Sequence, residues 1–342
     1  MKATDTRKMR YIIALLAQAA MLTLLSCGGQ NKGTAVGTDT IALKPCPRFD
    51  SDSAYSYIVG QCSYGSRVTG SDAAKKCGDW LVREFTRHGC AIEEQHGTMK
   101  AWDGKDIALR NITARYRPQS PTRVMLCSHW DSRPWADNDD DETKHHTPIL
   151  GANDGASGVA VMLEIARLLN TSGDTLSFGI DFVCFDAEDM GTPQWGEDTA
   201  EDSETTWCLG SQWWSMHAEE MEHKPIYGIL LDMVGGYGAT FSLEKMSIRH
   251  AADVAERLWS TAKEAGYGHY FPMRDGGGVM DDHIFVNKAG IPCIDIIPYH
   301  EYGPSVFGYT WHTVQDTPEN IDTKVLEAVG QSVIQMLFNE NI

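Results

Sequence analysis

The chain has 342 residues, 42% of them hydrophobic and 22% charged, enough to bury a large core in one sizeable domain or two small ones. Its formal charge of −18 argues against recognition of nucleic acid or an anionic membrane through a basic surface. It implies a soluble, acidic exterior and little more.

Lys2, Arg7, Lys8 and Arg10 precede an apolar stretch from Tyr11 to Leu25, the layout of a secretory signal and short for a transmembrane helix. The stretch ends at Leu24-Leu25-Ser26-Cys27, which is similar to a bacterial lipoprotein signal, in which the cysteine is lipidated and becomes the new N-terminus. Residues 1–26 are therefore expected to be a signal peptide and Cys27 a lipidation site. Polar, Gly-rich residues 27–45 read as a flexible tether, and 46–342 as the folded domain. An exported monomer, anchored in the periplasm or outer membrane through lipid alone, is expected. An ordinary cleaved signal with an incidental cysteine is the alternative.

Beyond the tether, Ser71 to Gly89 has helical spacing (Ala74, Cys77, Trp80, Leu81, Phe85), with Ser71 as N-cap and Gly89 as stop. Ile107–Tyr116 and Arg123–Ser128 read as strands, Ala156–Leu169 as a helix and Leu176–Phe185 as a buried strand. Ile226–Val234 is another strand, His250–Ala265 a helix, Ile291–Ile297 a strand and Lys324–Phe338 a closing amphipathic helix. Strands alternating with helices predict an α/β fold, a three-layer α/β/α sandwich around a twisted, mostly parallel mixed sheet. Trp130–Leu150 and Gly191–Trp207 read as long loops of the kind that carry function. Within the first, Asp139-Asp140-Asp141-Glu142 reads as a solvated run, with a calcium site as the alternative.

Eight cysteines follow Cys27, at 46, 62, 77, 90, 127, 184, 208 and 293. No C-x-x-C pair occurs among them, which leaves zinc-ribbon and thioredoxin readings without support. Cys127, Cys184 and Cys293 sit in apolar runs and are expected to be buried thiols; export permits pairing among the others.

The most telling local feature is the adjacent pair Glu188-Asp189, just beyond the apolar run that ends at Phe185. Ligand and catalytic groups of open α/β sheets gather at the carboxyl ends of strands. Two neighbouring carboxylates there repel unless a cation or a shared proton compensates. Other acidic and imidazole positions fall at or beyond predicted strand ends: His129 and Asp131; Asp154, in a Gly-rich turn; Asp232, inside an apolar run; and His312. Asp232 is the sharpest, because an acid in an apolar run costs several kcal/mol unless compensated. Mixed carboxylate and imidazole ligands suit zinc, and carboxylates left over can hold an amine or move protons.

The ordered set His129-Trp130-Asp131-Ser132, Asn153-Asp154-Gly155-Ala156-Ser157-Gly158, Glu188-Asp189, Asp232 and His312 resembles the zinc aminopeptidase superfamily of α/β/α exopeptidases, over most of the chain from about residue 46. Two branches compete. Dinuclear aminopeptidases would use His129, Asp154 as bridge, Glu188-Asp189, Asp232 and His312. Glutaminyl-peptide cyclotransferases share the fold and most of these positions but work with one zinc. Asp281-Asp282-His283 resembles the Asp-Asp-His motif of the cyclotransferases, and Trp311 before His312 matches their tryptophan. Phe307 and Trp195 resemble the aromatic walls of their pocket.

That resemblance implies conversion of an N-terminal glutamine of peptides or proteins to pyroglutamate, with release of ammonia. It assigns one zinc to Asp154, Asp189 and His312, proton transfer to Glu188, the amine to Asp232, and a place in the proton network to Asp281. Trp195, Phe307 and Trp311 would enclose the substrate. Two positions depart from the family: Asp189 stands where a second Glu is common, and Asp295 where its proton network has a His. His129 remains as a candidate second-metal ligand. An inactive lipid-anchored binding protein on the same fold is the third alternative.

Overall fold

The computed structural model describes residues 42–173, 176–197, 205–300, 302–303 and 305–342. The expected signal peptide, Cys27 and most of the tether lie outside the described residues. Helices α1 (Ser51–Cys62) and α2 (Asp72–Arg87) precede strands β1 (Ala91–Lys100), β2 (Asp106–Tyr116) and β3 (Arg123–His129). Then come α3 (Ala156–Thr171), β4 (Gly179–Phe185), α4 (Leu209–Met216), β5 (Gly228–Leu231), α5 (Lys245–Glu264), α6 (Asp282–Lys288), β6 (Cys293–Ile296) and α7 (Thr323–Asn339).

The strands form one mixed sheet in the order β1-β2-β4-β3-β5-β6. The β1–β2 and β2–β4 pairs are antiparallel, while β3 pairs parallel with β4 and β5, and β5 with β6. Alternating side chains build two cores on its two faces. Val124, Leu126, Ile180, Phe182, Ile229 and Ile294 meet helix residues such as Ile58, Leu81, Val159, Leu258 and Val329. Met125, Cys127, Val183, Leu230 and Cys293 meet Trp214 of α4 and Val286 of α6. The sandwich predicted from the alternation of elements is therefore the observed one.

The differences have local causes. Strand β1 went unpredicted because Glu93, Glu94, Gln95, His96 and Lys100 give it little apolar periodicity, as an edge strand tolerates. Helix α5 starts five residues earlier than predicted because Glu244 caps it, accepting from the Met246 and Ser247 N–H groups at 2.8 and 2.6 Å. Strand β5 ends at Leu231, short of the predicted Val234, where the chain turns through Met233 with φ +50°. All eight described cysteines are free thiols, and Cys127, Cys184 and Cys293 are buried as expected. Among the described residues no helix is long and apolar enough to cross a membrane.

The connectivity places the site. From the central strand β3 the chain passes to β4 on one side, and then crosses over to β5 on the other. A crevice opens at the carboxyl end of β3, where ligands of open α/β sheets bind. Helix α3 closes on this edge through Gly158, where a Cβ would lie 2.1 Å from the Leu231 carbonyl oxygen.

Candidate metal and proton-transfer site

His129 is the last residue of β3, Glu188-Asp189 stand three and four residues past β4, and Asp232 directly follows β5. Asp154 ends the turn before α3, which Gly155 completes with φ +91°, and Asp281 is the N-cap of α6. His312 lies on the irregular segment between β6 and α7, at φ +55°. Ala187, Met233 and His312 are non-glycine residues in the left-handed region beside these acids, the kind of backbone strain that collects at functional sites.

One fixed carboxylate anchors the acidic pair. The Asp131 carboxylate accepts from the Glu188 N–H at 3.1 Å and the Asp189 N–H at 3.2 Å. From this platform Asp189 reaches His312, with Oδ1 3.1 Å from Nε2, and Glu188 turns toward Cys208 and Asp281. Asp316 holds the turn before α3 in the same way, accepting from Asn153 N at 2.7 Å and Asp154 N at 3.0 Å.

Asp154, Asp189 and His312 form a compact buried triad, with His312 Nε2 3.6 Å from Asp154 Oδ2. Ligand atoms on a tetrahedral zinc lie about 3.4 Å apart, given bonds of about 2.0–2.1 Å. Asp154 Oδ2 and Asp189 Oδ2 are buried without a hydrogen-bond partner, which is costly unless something else satisfies them. Protonation also fits. Burial would raise Asp189, but the charges of His312 and Arg133 pull it down to about 2. Burial and the Arg133 charge hold His312 below the usual histidine range, so the imidazole offers a lone pair.

A second cluster, His129, Asp154 and Asp232, adjoins the first. His129 Nε2 lies 3.0 Å from Asp154 Oδ1 and 3.2 Å from Asp232 Oδ1, and Nδ1 lies 3.4 Å from Asp131. Burial opposes its charge, but these three carboxylates raise its pKa well above the ordinary value. The imidazolium thus supplies a positive charge between Asp154 and Asp232.

Asp154, Glu188, Asp189, Asp232, Asp281 and His312 line a cavity of about 260 Å³, walled by Trp207, Phe307, Trp311 and Ile297. Burial raises Glu188 well above the carboxylate range, His129 opposing and the charges of Asp189 and Asp281 adding. Asp281 is raised by burial and then by Asp232 and Asp282. Asp295 lies behind this row on β6, 3.7 Å from His283 Nδ1, whose Nε2 is 3.2 Å from Glu244. Burial and the charges of Asp281 and Glu244 raise Asp295 as well.

The structure brings together every expected site residue among those described except one. Trp195 does not line the cavity; it sits 43% exposed on its loop against Trp135 and His146, at ring distances of 5.9 and 4.3 Å. Trp207 takes the place expected of it, with its ring parallel to that of His312 at 6.0 Å. The two residues bracket a long loop, and sequence could not say which end folds inward. Asp139 is likewise no solvated residue, since it accepts from Val314 N at 3.2 Å and its side chain is largely buried.

Sequence reasoning also missed the support beneath the triad. Arg133 grips Asp137 through two bonds of 2.7 and 2.6 Å, and donates to the Asp189 carbonyl at 3.1 Å. Asp137 Oδ1 lies 3.6 Å from His312 Nδ1, so its charge faces that nitrogen while Nε2 faces Asp154 and Asp189. The i,i+4 spacing of Arg133 and Asp137 was the available signal, although no helix carries it. Asp137→Asn is expected to weaken zinc affinity about 10- to 100-fold, measured by competition with a chromophoric chelator. Unchanged affinity would show that Arg133 and Asp137 serve the loop alone.

With this geometry in place, comparison with known proteins is decisive. Residues 111–337 match the model of peptidase family M28. The chain belongs to that family. It is 45% identical to a crystal structure of glutaminyl cyclase from Bacteroides thetaiotaomicron bound to N-acetylhistamine, with a TM-score of 0.83, covering 87% of this chain and 100% of that one. It is 44% identical to a leucine aminopeptidase precursor from Bacteroides thetaiotaomicron VPI-5482, with a TM-score of 0.82, covering 88% and 100%. Glutaminyl-peptide cyclotransferase of Bos taurus is 26% identical over 264 residues, which span 67% of this chain and 65% of the bovine enzyme's own length. Membership of the M28 family together with this buried acid and imidazole set supports an enzyme, and a Zn-dependent exopeptidase from Parabacteroides distasonis shares the fold at 44% identity and a TM-score of 0.82.

Proposed function

We propose that this M28 protein is a single-zinc glutaminyl-peptide cyclotransferase, acting on peptides or proteins that begin with glutamine. The observation that carries the reading is the small aromatic cavity in which a triad fit for zinc faces a separate row of acids, Glu188, Asp232 and Asp281. An intramolecular cyclisation needs room for one folded side chain and little water, and about 260 Å³ walled by Trp207, Phe307, Trp311 and Ile297 suits it. The similarity to glutaminyl cyclases supports the same choice.

Asp154, Asp189 and His312 would hold zinc, which when bound polarises the side-chain carbonyl of the glutamine and stabilises its developing negative charge. Asp232 would orient the α-amine toward that carbonyl carbon. Glu188 would take a proton from the amine as the new C–N bond forms, and deliver it to the departing amide nitrogen as the old one breaks. Pyroglutamate and ammonia balance the reaction. The raised pKa of Glu188 suits a group that must both accept and release a proton. Asp281 would sit beside it in the proton network, with Asp295 behind.

The competing reading, a dinuclear aminopeptidase, gains support from the His129–Asp154–Asp232 cluster and from the leucine aminopeptidase precursor among the neighbours. The two separate in one sample, with a Gln-initiated and a Leu-initiated peptide assayed beside a zinc count. Pyroglutamate and ammonia with one zinc per chain are expected. Leucine release without pyroglutamate, with two zincs per chain, would establish the aminopeptidase instead.

A further inference from the structure

Cys208 is fully buried and lies outside the lining of the cavity, but its Sγ is 3.2 Å from Glu188 Oε1. We propose that Cys208 is a positioning residue for Glu188, its S–H holding one carboxylate oxygen so that the other is presented to substrate. The proposal rests on the role given to Glu188 above and adds a residue that the resemblance did not assign.

Three observations separate this from a cysteine that merely fills space, which is what most buried cysteines do. First, the backbone ties the two residues together. Cys208 N donates to the Glu188 carbonyl at 2.9 Å, and Leu209 N to the Ala187 carbonyl at 3.0 Å. Second, Cys208 is the N-cap of α4, yet its side chain makes no capping bond. A cap side chain normally serves its own helix, whereas this one points to Glu188, from a left-handed backbone at φ +56°. Ala187, beside Glu188, has the same φ of +56°. Two non-glycine residues in that region cost energy that the surrounding contacts must overcome.

Third, the surroundings leave the thiol few other partners. Buried Ile284 and Phe285 pack against Cys208, with Trp207, Met246 and Met280 around them. Burial first, and then the charges of Glu188, Asp282 and Asp281, push the thiol well above its usual pKa, so it stays protonated and donates. A glutamate has three rotatable bonds, and a proton shuttle gains from having them fixed before substrate arrives.

Loss of the donor should therefore appear in kcat and spare KM. Cys208→Ala is expected to lower kcat on a glutaminyl peptide about tenfold, with KM and zinc content near wild type. Cys208→Ser, which restores a donor from the same backbone, is expected to recover most of that loss. Full kcat in the alanine variant, or equal losses in both, would overturn the proposal. A readout that needs neither turnover nor a stable alanine variant is the infrared S–H stretch. The band removed by Cys208→Ser should move to higher wavenumber in Glu188→Gln, because an amide oxygen accepts more weakly than a carboxylate. A band that stays in place would overturn the contact. Absence of any cyclisation by the wild type would instead sink the functional reading, and the infrared result would still decide the role of Cys208.

Discussion

Glu188→Gln is expected to reduce cyclisation of a glutaminyl peptide by about 100- to 10,000-fold, the range for removal of a general acid–base group. The amide keeps the volume of the side chain and its place beside Cys208, but it cannot take the amine's proton or return it to the leaving nitrogen. Zinc content should hold, because the triad is made by Asp154, Asp189 and His312 and does not include Glu188. Stability should hold or rise. Burial raises the Glu188 pKa first, with the charges of Asp189 and Asp281 adding and His129 opposing, so a neutral residue removes a buried like charge. The measurement is kcat/KM for pyroglutamate formation, beside a zinc count and a thermal melt. Activity near wild type, with zinc and fold intact, would remove Glu188 from the chemistry and revive the reading of an inactive scaffold or a different base.

How much of this was legible in sequence depends on where each signal lives. The parallel strands β3 and β4 bury both faces, so their runs were unbroken and easily found. The acids at their ends stood out because charge next to such runs needs a reason. Edge strand β1 and the seven-residue helix α6 carry weak periodicity, and they were found only in the structure. Sequence marked His129, Asp154, Asp232 and His312, but their distribution between two donor groups depends on distances of 3.0 to 3.6 Å. The support went unread for the same reason. Sequence marks Asp131 only as an acid beyond a strand end and does not single out Asp137 or Asp316, because the backbone N–H groups that each accepts from lie on loops distant along the chain. Asp189, the shorter arm of the pair, still comes within 3.1 Å of His312, since the loop beyond β4 is drawn in by Asp131 and by Arg133 at the Asp189 carbonyl.

Asp154→Asn is expected to abolish both zinc binding and cyclisation while making the metal-free protein more stable. Asp154 is the one carboxylate common to both donor groups, with Oδ1 at 3.0 Å from His129 Nε2 and Oδ2 at 3.6 Å from His312 Nε2. An amide presents one weak oxygen in place of two anionic ones, so the triad loses a ligand that neither Asp189 nor His312 can replace. In the metal-free fold the ionised group is a burden. Burial raises its pKa well above the ordinary value, the Asp189 and Asp232 charges add to this, and only His129 opposes them. A carboxylate with a raised folded pKa lends stability below its unfolded value of 3.8 and loses it as pH rises through the folded one. Wild-type protein stripped of metal should therefore melt below metal-free Asp154→Asn, and the gap should widen from pH 5 to pH 8, on the order of a few degrees. Zinc should reverse the order by raising the wild-type melting temperature and leaving the variant's unchanged. A variant that keeps stoichiometric zinc, or that melts below the stripped wild type at pH 8, would show that Asp154 belongs to the fold rather than to the metal.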